Sequence, residues 1–361
     1  MDNRSFLHRL ATACALPLAL AALVSCDPDG ETITPQAGSN SVLVVNEGKF
    51  QSANASVSVY EPGAKAVTNK DIFRSANNRA LGDVAQSMTV TDGRGYIVVN
   101  NSKKVEVVSL PDFKSVGVIG KLRLPRYFAA EGNRGYITQY RAYDGLPGQV
   151  IVVDLTTYRA IDSVSVGMYP EQILISSGKA YVANSGENTV SIIDLASKAE
   201  SKVVVGESPN SLALDRNGRL WVLCGGKIVY LPDYSDLDYA QTTAGTLVDF
   251  LPSAPAAQNR RTFASNRSQP GRLKLNAAGD QLYFTYLSGV YRMGIADATL
   301  PTTPIIRRKL IGLGIDPLDN SIYGGTGTFS AEGKIIHYSN AGAPLDSAAV
   351  GIGPNSFVFV K

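Results

Sequence analysis

A short strand-like run opened by an aromatic recurs along this chain at nearly constant spacing, and that spacing restricts the fold more than any other feature. The runs are Gly95-Tyr96-Ile97-Val98-Val99-Asn100, Gly135-Tyr136-Ile137-Thr138, Ala180-Tyr181-Val182-Ala183-Asn184, Leu220-Trp221-Val222-Leu223, Leu282-Tyr283-Phe284-Thr285 and Ile322-Tyr323-Gly324. Their aromatics stand at 96, 136, 181, 221, 283 and 323, so four of the five gaps are 40 to 45 residues. That is the period of a four-stranded propeller blade. Alternating apolar residues between turn residues are the strand signature, and helical periodicity is nearly absent after the first 40 residues.

Each run has companions, lettered here a to d along the blade with the aromatic run as strand b. Strand a precedes it, as in Ser211-Leu212-Ala213-Leu214 or Arg272-Leu273-Lys274-Leu275. Strand c follows: Val105-Glu106-Val107-Val108, Val150 to Asp154 and Val190 to Asp194. A strand d such as Val203-Val204-Val205 then runs into a loop bearing proline, Ser208-Pro209-Asn210. Asp154 and Asp194 occupy one place in consecutive repeats and read as turn caps.

The two ends of the pattern complement each other. Ser41 to Asn46 matches strand b with no strand a before it, and Gly353 to Val360 matches strand a with no strand b after it. The reading is therefore an all-β, seven-bladed β-propeller over 41–361, closed by the C-terminal strand completing the first blade so that no long edge stays open. The irregular gap, Trp221 to Tyr283, reads as a blade carrying an insertion at roughly 233–267, a place where long loops tend to be functional.

Upstream, Met1 to Arg9 is a short basic segment and Leu10 to Val24 an apolar run too short to span a membrane comfortably. The run ends in Leu23-Val24-Ser25-Cys26, which resembles a bacterial lipobox. It predicts a signal peptide over 1–25, lipidation of Cys26 and a tether over 26–40. Asp27, Asp29 and Glu31 resemble an acidic surface-export signal, so the expected location is the outer membrane, lipid-anchored and facing outward. Removal of Cys14 and acylation of Cys26 leave Cys224 alone, so no disulfide can form within the mature chain; Cys224, in a strand pattern, reads as a buried structural thiol. With 44% hydrophobic and 18% charged residues the chain can bury a large core. A net charge of +3 without a basic cluster gives no footprint for nucleic acid.

The blade pattern Tyr-Val-Ala-Asn followed by Val-Ser-Ile-Ile-Asp resembles the YVTN/YncE-type propeller repeat. Further segments, Val45 to Tyr60, Arg272 to Met293 and Gly312 to Pro317, are similar to the DUF5074 surface lipoproteins of Bacteroidetes. That family includes propellers that capture cobalamin and pass it to a TonB-dependent outer-membrane transporter. The resemblance therefore implies capture of a nutrient, with cobalamin or a related corrinoid as ligand and such a transporter as partner. The matched motifs are blade framework, and a shared fold does not by itself define a function.

In a propeller the d-to-a and b-to-c loops emerge on one face around the central channel. That rule nominates Arg126, Tyr127, Tyr169, Glu171, Asn210 and Asn355 from the first set of loops. From the second come Asn46, Glu47, Asn54, Tyr140, Arg141, Tyr143 and Asn184. Tyrosine, arginine and asparagine are types enriched where proteins grip ligands. Catalysis finds little support. His337, the single histidine after the leader, sits in a strand c pattern, and no Ser/His/Asp set, HExxH or phosphate-cradling loop is present. No cofactor is expected and no metal site is assigned. Asn46, Glu47 and Asn184 could hold Ca²⁺ in the channel, as in lactone-hydrolysing propellers. A metal-dependent hydrolase and a protein-binding scaffold remain the alternatives to capture.

Overall fold

A computed structural model describes residues 36–360. The leader, Cys26 and most of the expected tether lie outside the described residues. Among the described residues one six-residue helix, Ile72–Asn77, interrupts an otherwise all-β chain. Seven antiparallel sheets follow one another, and each places strand b between a and c. The seven-bladed propeller is confirmed. The closing strand Pro354–Phe359 pairs with Val42–Asn46, matching Val42 to Phe359, Leu43 to Val358 and Val44 to Phe357. The last strand of the chain is thus strand a of the first blade.

Strand alternation explains how the blades pack. Successive side chains point to opposite faces, so each strand offers one set of apolar residues to the preceding blade and the other to the next. The buried apolar residues accordingly fall into seven clusters, one for each junction between neighbouring blades. Tyr96, Tyr136, Tyr181, Trp221, Tyr283 and Tyr323 each enter the junction with the following blade. Leu43 does so for the first. The repeating aromatic is therefore core, and its period records the packing of one blade on the next.

Two details differ from expectation. The sixth blade has three full strands, and its outer edge is met only by a bridge between Val290 and Ile306. The enlarged fifth blade places its extra chain between strands b and c, at 225–245, rather than at 233–267. Thr246–Phe250 and Asn259–Thr262 are its strands c and d. Asp249 in strand c and the Arg260-Arg261 pair in strand d disguise them as loop. Asp249 is buried and tied to Arg219 at 2.5 Å and Arg261 at 2.6 Å. The Arg261 guanidinium also lies 5.0 Å from the Trp221 ring centre. A buried carboxylate is tolerated in a strand when it is paired and hydrogen-bonded in this way.

Other polar residues have structural work. Asp154 accepts from the backbone N–H groups of Thr156 and Thr157, and Asp194 from that of Ser197, as turn caps do. His337 stacks on Tyr323 with ring centres 4.5 Å apart, and its Nδ1 lies 3.1 Å from Asp346. Burial pushes the Cys224 thiol up to about 11, which keeps it from acting as a thiolate.

Candidate functional site at the channel mouth

Strand a is the innermost strand of every blade and lines the axis. In five blades a proline stands at or next to its first residue: Pro125, Pro170, Pro209, Pro270 and Pro354. Proline carries no N–H and suits the first position of an edge strand. Just after this point the pairing of strands a and b slips, at Pro125/Phe128, Pro170/Ile173, Pro209/Ser211 and Gly271/Lys274. Such bulges re-aim side chains. The two residues following each proline all face one cavity on the axis: Arg126-Tyr127, Glu171-Gln172, Asn210-Ser211, Gly271-Arg272 and Asn355-Ser356. Its volume is about 440 Å³, and Gln86, Leu313 and Lys274 supply further wall from strands a.

On the rim above blades three and four, three tyrosines come together. The ring centres of Tyr140 and Tyr169 are 5.0 Å apart, those of Tyr140 and Tyr143 5.8 Å, and those of Tyr143 and Tyr169 6.4 Å. The Tyr169 hydroxyl accepts from the Gly145 N–H at 2.9 Å, pinning the 140–147 loop. Arg126 stands 5.0 Å from the Tyr140 ring centre, in cation–π range. It is held by Glu171, 2.8 Å away, and by the Gln86 side-chain oxygen at 2.7 Å. The Tyr140 hydroxyl donates to the same Glu171 carboxylate. Burial first, then the Glu171 charge, raises the pKa of Tyr140, so its proton stays on. Tyr143 itself is 72% exposed, which a single large aromatic with nothing to cover does not require.

The nominated residues therefore divide. Arg126, Tyr127, Glu171, Asn210 and Asn355 line the cavity, and Tyr140, Tyr143 and Tyr169 form the rim. Glu47 sits just behind, accepting from Asn355 Nδ2 at 3.2 Å, and burial raises its pKa. Four are not brought to the cavity. Asn46 and Asn184 are fully buried, and their amides donate within their own blades, to Ser56 and Ser58 and to Thr189 and Ser191. An asparagine at the end of strand b thus staples strand c. Asn54 accepts from the Lys49 backbone N–H in its own loop, and Arg141 points to solvent.

Arg272 and Lys274, also on the cavity wall, are not among the nominated residues because the sequence reads them as strand a and not as loop. The proline at 270 was the available signal, since the pair after a strand-opening proline faces the axis in every blade that has one. Arg272 Nη1 donates to the Asn355 carbonyl at 3.0 Å, and its φ of 60° is one that non-glycine residues adopt at a cost. Burial, then the neighbouring Arg272 charge, lowers Lys274 to about 8. The fifth-blade insertion stands on the same face and exposes Tyr230 and Tyr234, with Arg267 4.4 Å from the Tyr239 ring centre.

Fold and cavity together define a seven-bladed propeller with a polar channel mouth and an aromatic rim. The chain belongs to the DUF5074 family, a domain of unknown function whose family model matches residues 40–337. No curated protein matches it in sequence. Solved structures are similar in fold. A Lactobacillus plantarum protein superposes with a TM-score of 0.65 at 12% identity, covering 90% of this chain and 100% of its own. A Bacteroides fragilis protein provisionally named a 6-phosphogluconolactonase gives 0.63 at 14% identity, covering 90% and 99%. A functionally unknown Desulfotomaculum acetoxidans protein gives 0.62 at 12%, covering 89% and 99%. At such identities the likeness establishes the propeller and carries no chemistry across.

Proposed function

We propose that this protein is a lipid-anchored capture propeller displayed on the outer membrane, which binds a polar, largely planar nutrient and delivers it to a TonB-dependent transporter. A corrinoid such as cobalamin is the ligand that suits it best. The observation that carries the reading is the assembly of Tyr140, Tyr143 and Tyr169 with Arg126 on the channel rim. Tyrosines offer wide, rigid contact area with a hydroxyl at the edge, which matches a macrocycle fringed with amides. Delivery to a transporter rests on the likeness of the blade framework to cobalamin-capturing propellers.

Titration of the purified protein with cyanocobalamin tests the ligand. The expected result is saturable binding that a chelator leaves unchanged. Absence of binding, alongside chelator-sensitive lactone hydrolysis, would replace capture with the hydrolase. That second reading has little to build on, because the amides of Asn46 and Asn184 donate within their own blades and Glu47 is turned to Asn355. Glu171 is already engaged by Arg126 and Tyr140.

The anchor is tested separately. Acyl chains contribute about 0.8 kcal/mol per buried methylene, so a multiply acylated Cys26 holds a protein at the membrane stably. Cys26→Ala should move the protein from the membrane fraction to the soluble one. A variant that stays with the membrane would show that something other than this cysteine anchors it.

A further inference from the structure

We infer that the channel cavity is an anion site that takes a phosphate group against Arg272 and Lys274. The inference goes beyond the corrinoid reading, for it concerns the cavity on the axis and not the tyrosine rim.

Charge balance is the starting point. Glu171 offsets Arg126 at 2.8 Å, and that pair is internally satisfied. Arg272 and Lys274 then remain, two positions apart on the innermost strand, where the bulge at its start leaves both facing the axis. Both line the same cavity. Arg272 uses one nitrogen on the Asn355 carbonyl, which fixes its plane and leaves further N–H groups to donate. Lys274 has neither a carboxylate nor a hydrogen-bond acceptor among the described residues. Two like charges share a confined space whose wall offers only the Arg126-bound Glu171 as a carboxylate. Glu47 lies behind Asn355 and is turned to that amide.

Lys274 is half-buried beside a second cation and has no counter-charge among the described residues, and a bound anion relieves the repulsion between the two. A forked guanidinium beside a point-like ammonium is the donor pair that a phosphate accepts, several oxygens at once. The cavity, at about 440 Å³, has room for such a group and for part of the molecule bearing it.

The ionisation of Lys274 adds a pH signature. Burial and Arg272 lower its pKa to about 8, so the free protein loses this charge as pH rises through that value. The other titratable groups facing the cavity are Arg126 and Tyr127 from the third blade, Glu171 from the fourth and Arg272 itself. Burial raises Tyr127, so it stays neutral in this range. Phosphate monoesters gain their second charge near pH 6. Affinity should therefore rise above about pH 6 and fall beyond about pH 8.

The test is calorimetric titration of the detergent-solubilised full-length protein with inorganic phosphate and with phenyl phosphate, at matched chloride. Wild type should bind, and Arg272→Met and Lys274→Met should each weaken binding at least tenfold. Lys274→Met removes an unpaired, half-buried charge next to Arg272, so its melting temperature should not fall, which separates lost binding from lost folding. Tyr143→Ala, which alters the rim and no cavity residue, should keep its affinity for inorganic phosphate, so the cavity can be right where the rim reading fails. Tighter binding of phenyl phosphate would point to a phosphate carried on an organic ligand, and equal binding to free phosphate. No binding by wild type, or binding indifferent to both substitutions, would overturn the inference.

Discussion

Deleting residues 356–361 should unfold or aggregate the protein, or lower its melting temperature by roughly 5–10 °C. The segment holds most of the strand that closes the ring. Its removal strips the partners of Val42, Leu43, Val44 and Val45 and leaves an unpaired strand facing the axis. Phe357 and Phe359 leave the junction between the seventh and first blades, where their ring centres lie 6.3 and 5.5 Å from that of Tyr323. Fully burying one large apolar side chain contributes about 1.5–3 kcal/mol, and several partly buried ones are lost together, so about 5 kcal/mol is at stake. At about 2.1 cal/mol/K of unfolding entropy per residue, a body this large shifts by roughly 1.5 °C per kcal/mol, which gives the stated fall. The seventh blade is fitted closely to the start of the closing strand. A Cβ on Gly325 would come within 2.0 Å of the Pro354 carbonyl oxygen. A truncated protein that melts with the full-length one would mean the ring does not depend on its last strand.

Replacing both Tyr140 and Tyr143 with alanine should weaken corrinoid binding by about 2–4 kcal/mol, or roughly 30- to 1000-fold, as loss of aromatic anchors commonly does. The two rings meet edge to face, and Tyr140 also rests on Arg126 and donates to Glu171. Controls separate the ring from its hydroxyl. Tyr143→Ala alone removes an exposed side chain, so stability should stay within about 0.5 kcal/mol while affinity falls. Tyr140→Phe keeps the ring and loses the bond to Glu171. Glu47→Ala should matter little to capture, whereas a hydrolase using that carboxylate would lose activity. Unchanged affinity in the double variant would remove the rim from the binding site.

Much of the fold was legible because a repeat states its own packing rule. Each anchor aromatic fills the junction to the next blade, so an aromatic every 40 to 45 residues announces both the blade and the neighbour it packs on. The orphan strands at the two ends were equally readable, since a strand without its partner predicts where the partner must come from. The fifth blade was misjudged for the converse reason. Asp249 and Arg261 are strand residues whose polarity makes sense only once adjoining strands bring them together as diagonal neighbours, 2.6 Å apart.

The site divides along the same line. Loop position and residue type brought out Tyr140, Tyr143, Tyr169, Arg126 and Glu171, which lie close in the chain and on adjoining blades. The same reasoning nominated Asn46 and Asn184, because an asparagine that staples a neighbouring strand and one that faces solvent look alike as letters. Arg272 and Lys274 read as ordinary alternation within a strand. The sequence by itself determined the blades, their number and the closure of the ring, all of which follow from local alternation and a regular period. Only the tertiary structure decided which polar side chains share the axis. Seven inner strands from distant parts of the chain converge there, and in several of them bulges after the opening residues turn the side chains inward, a rotation that no periodicity records.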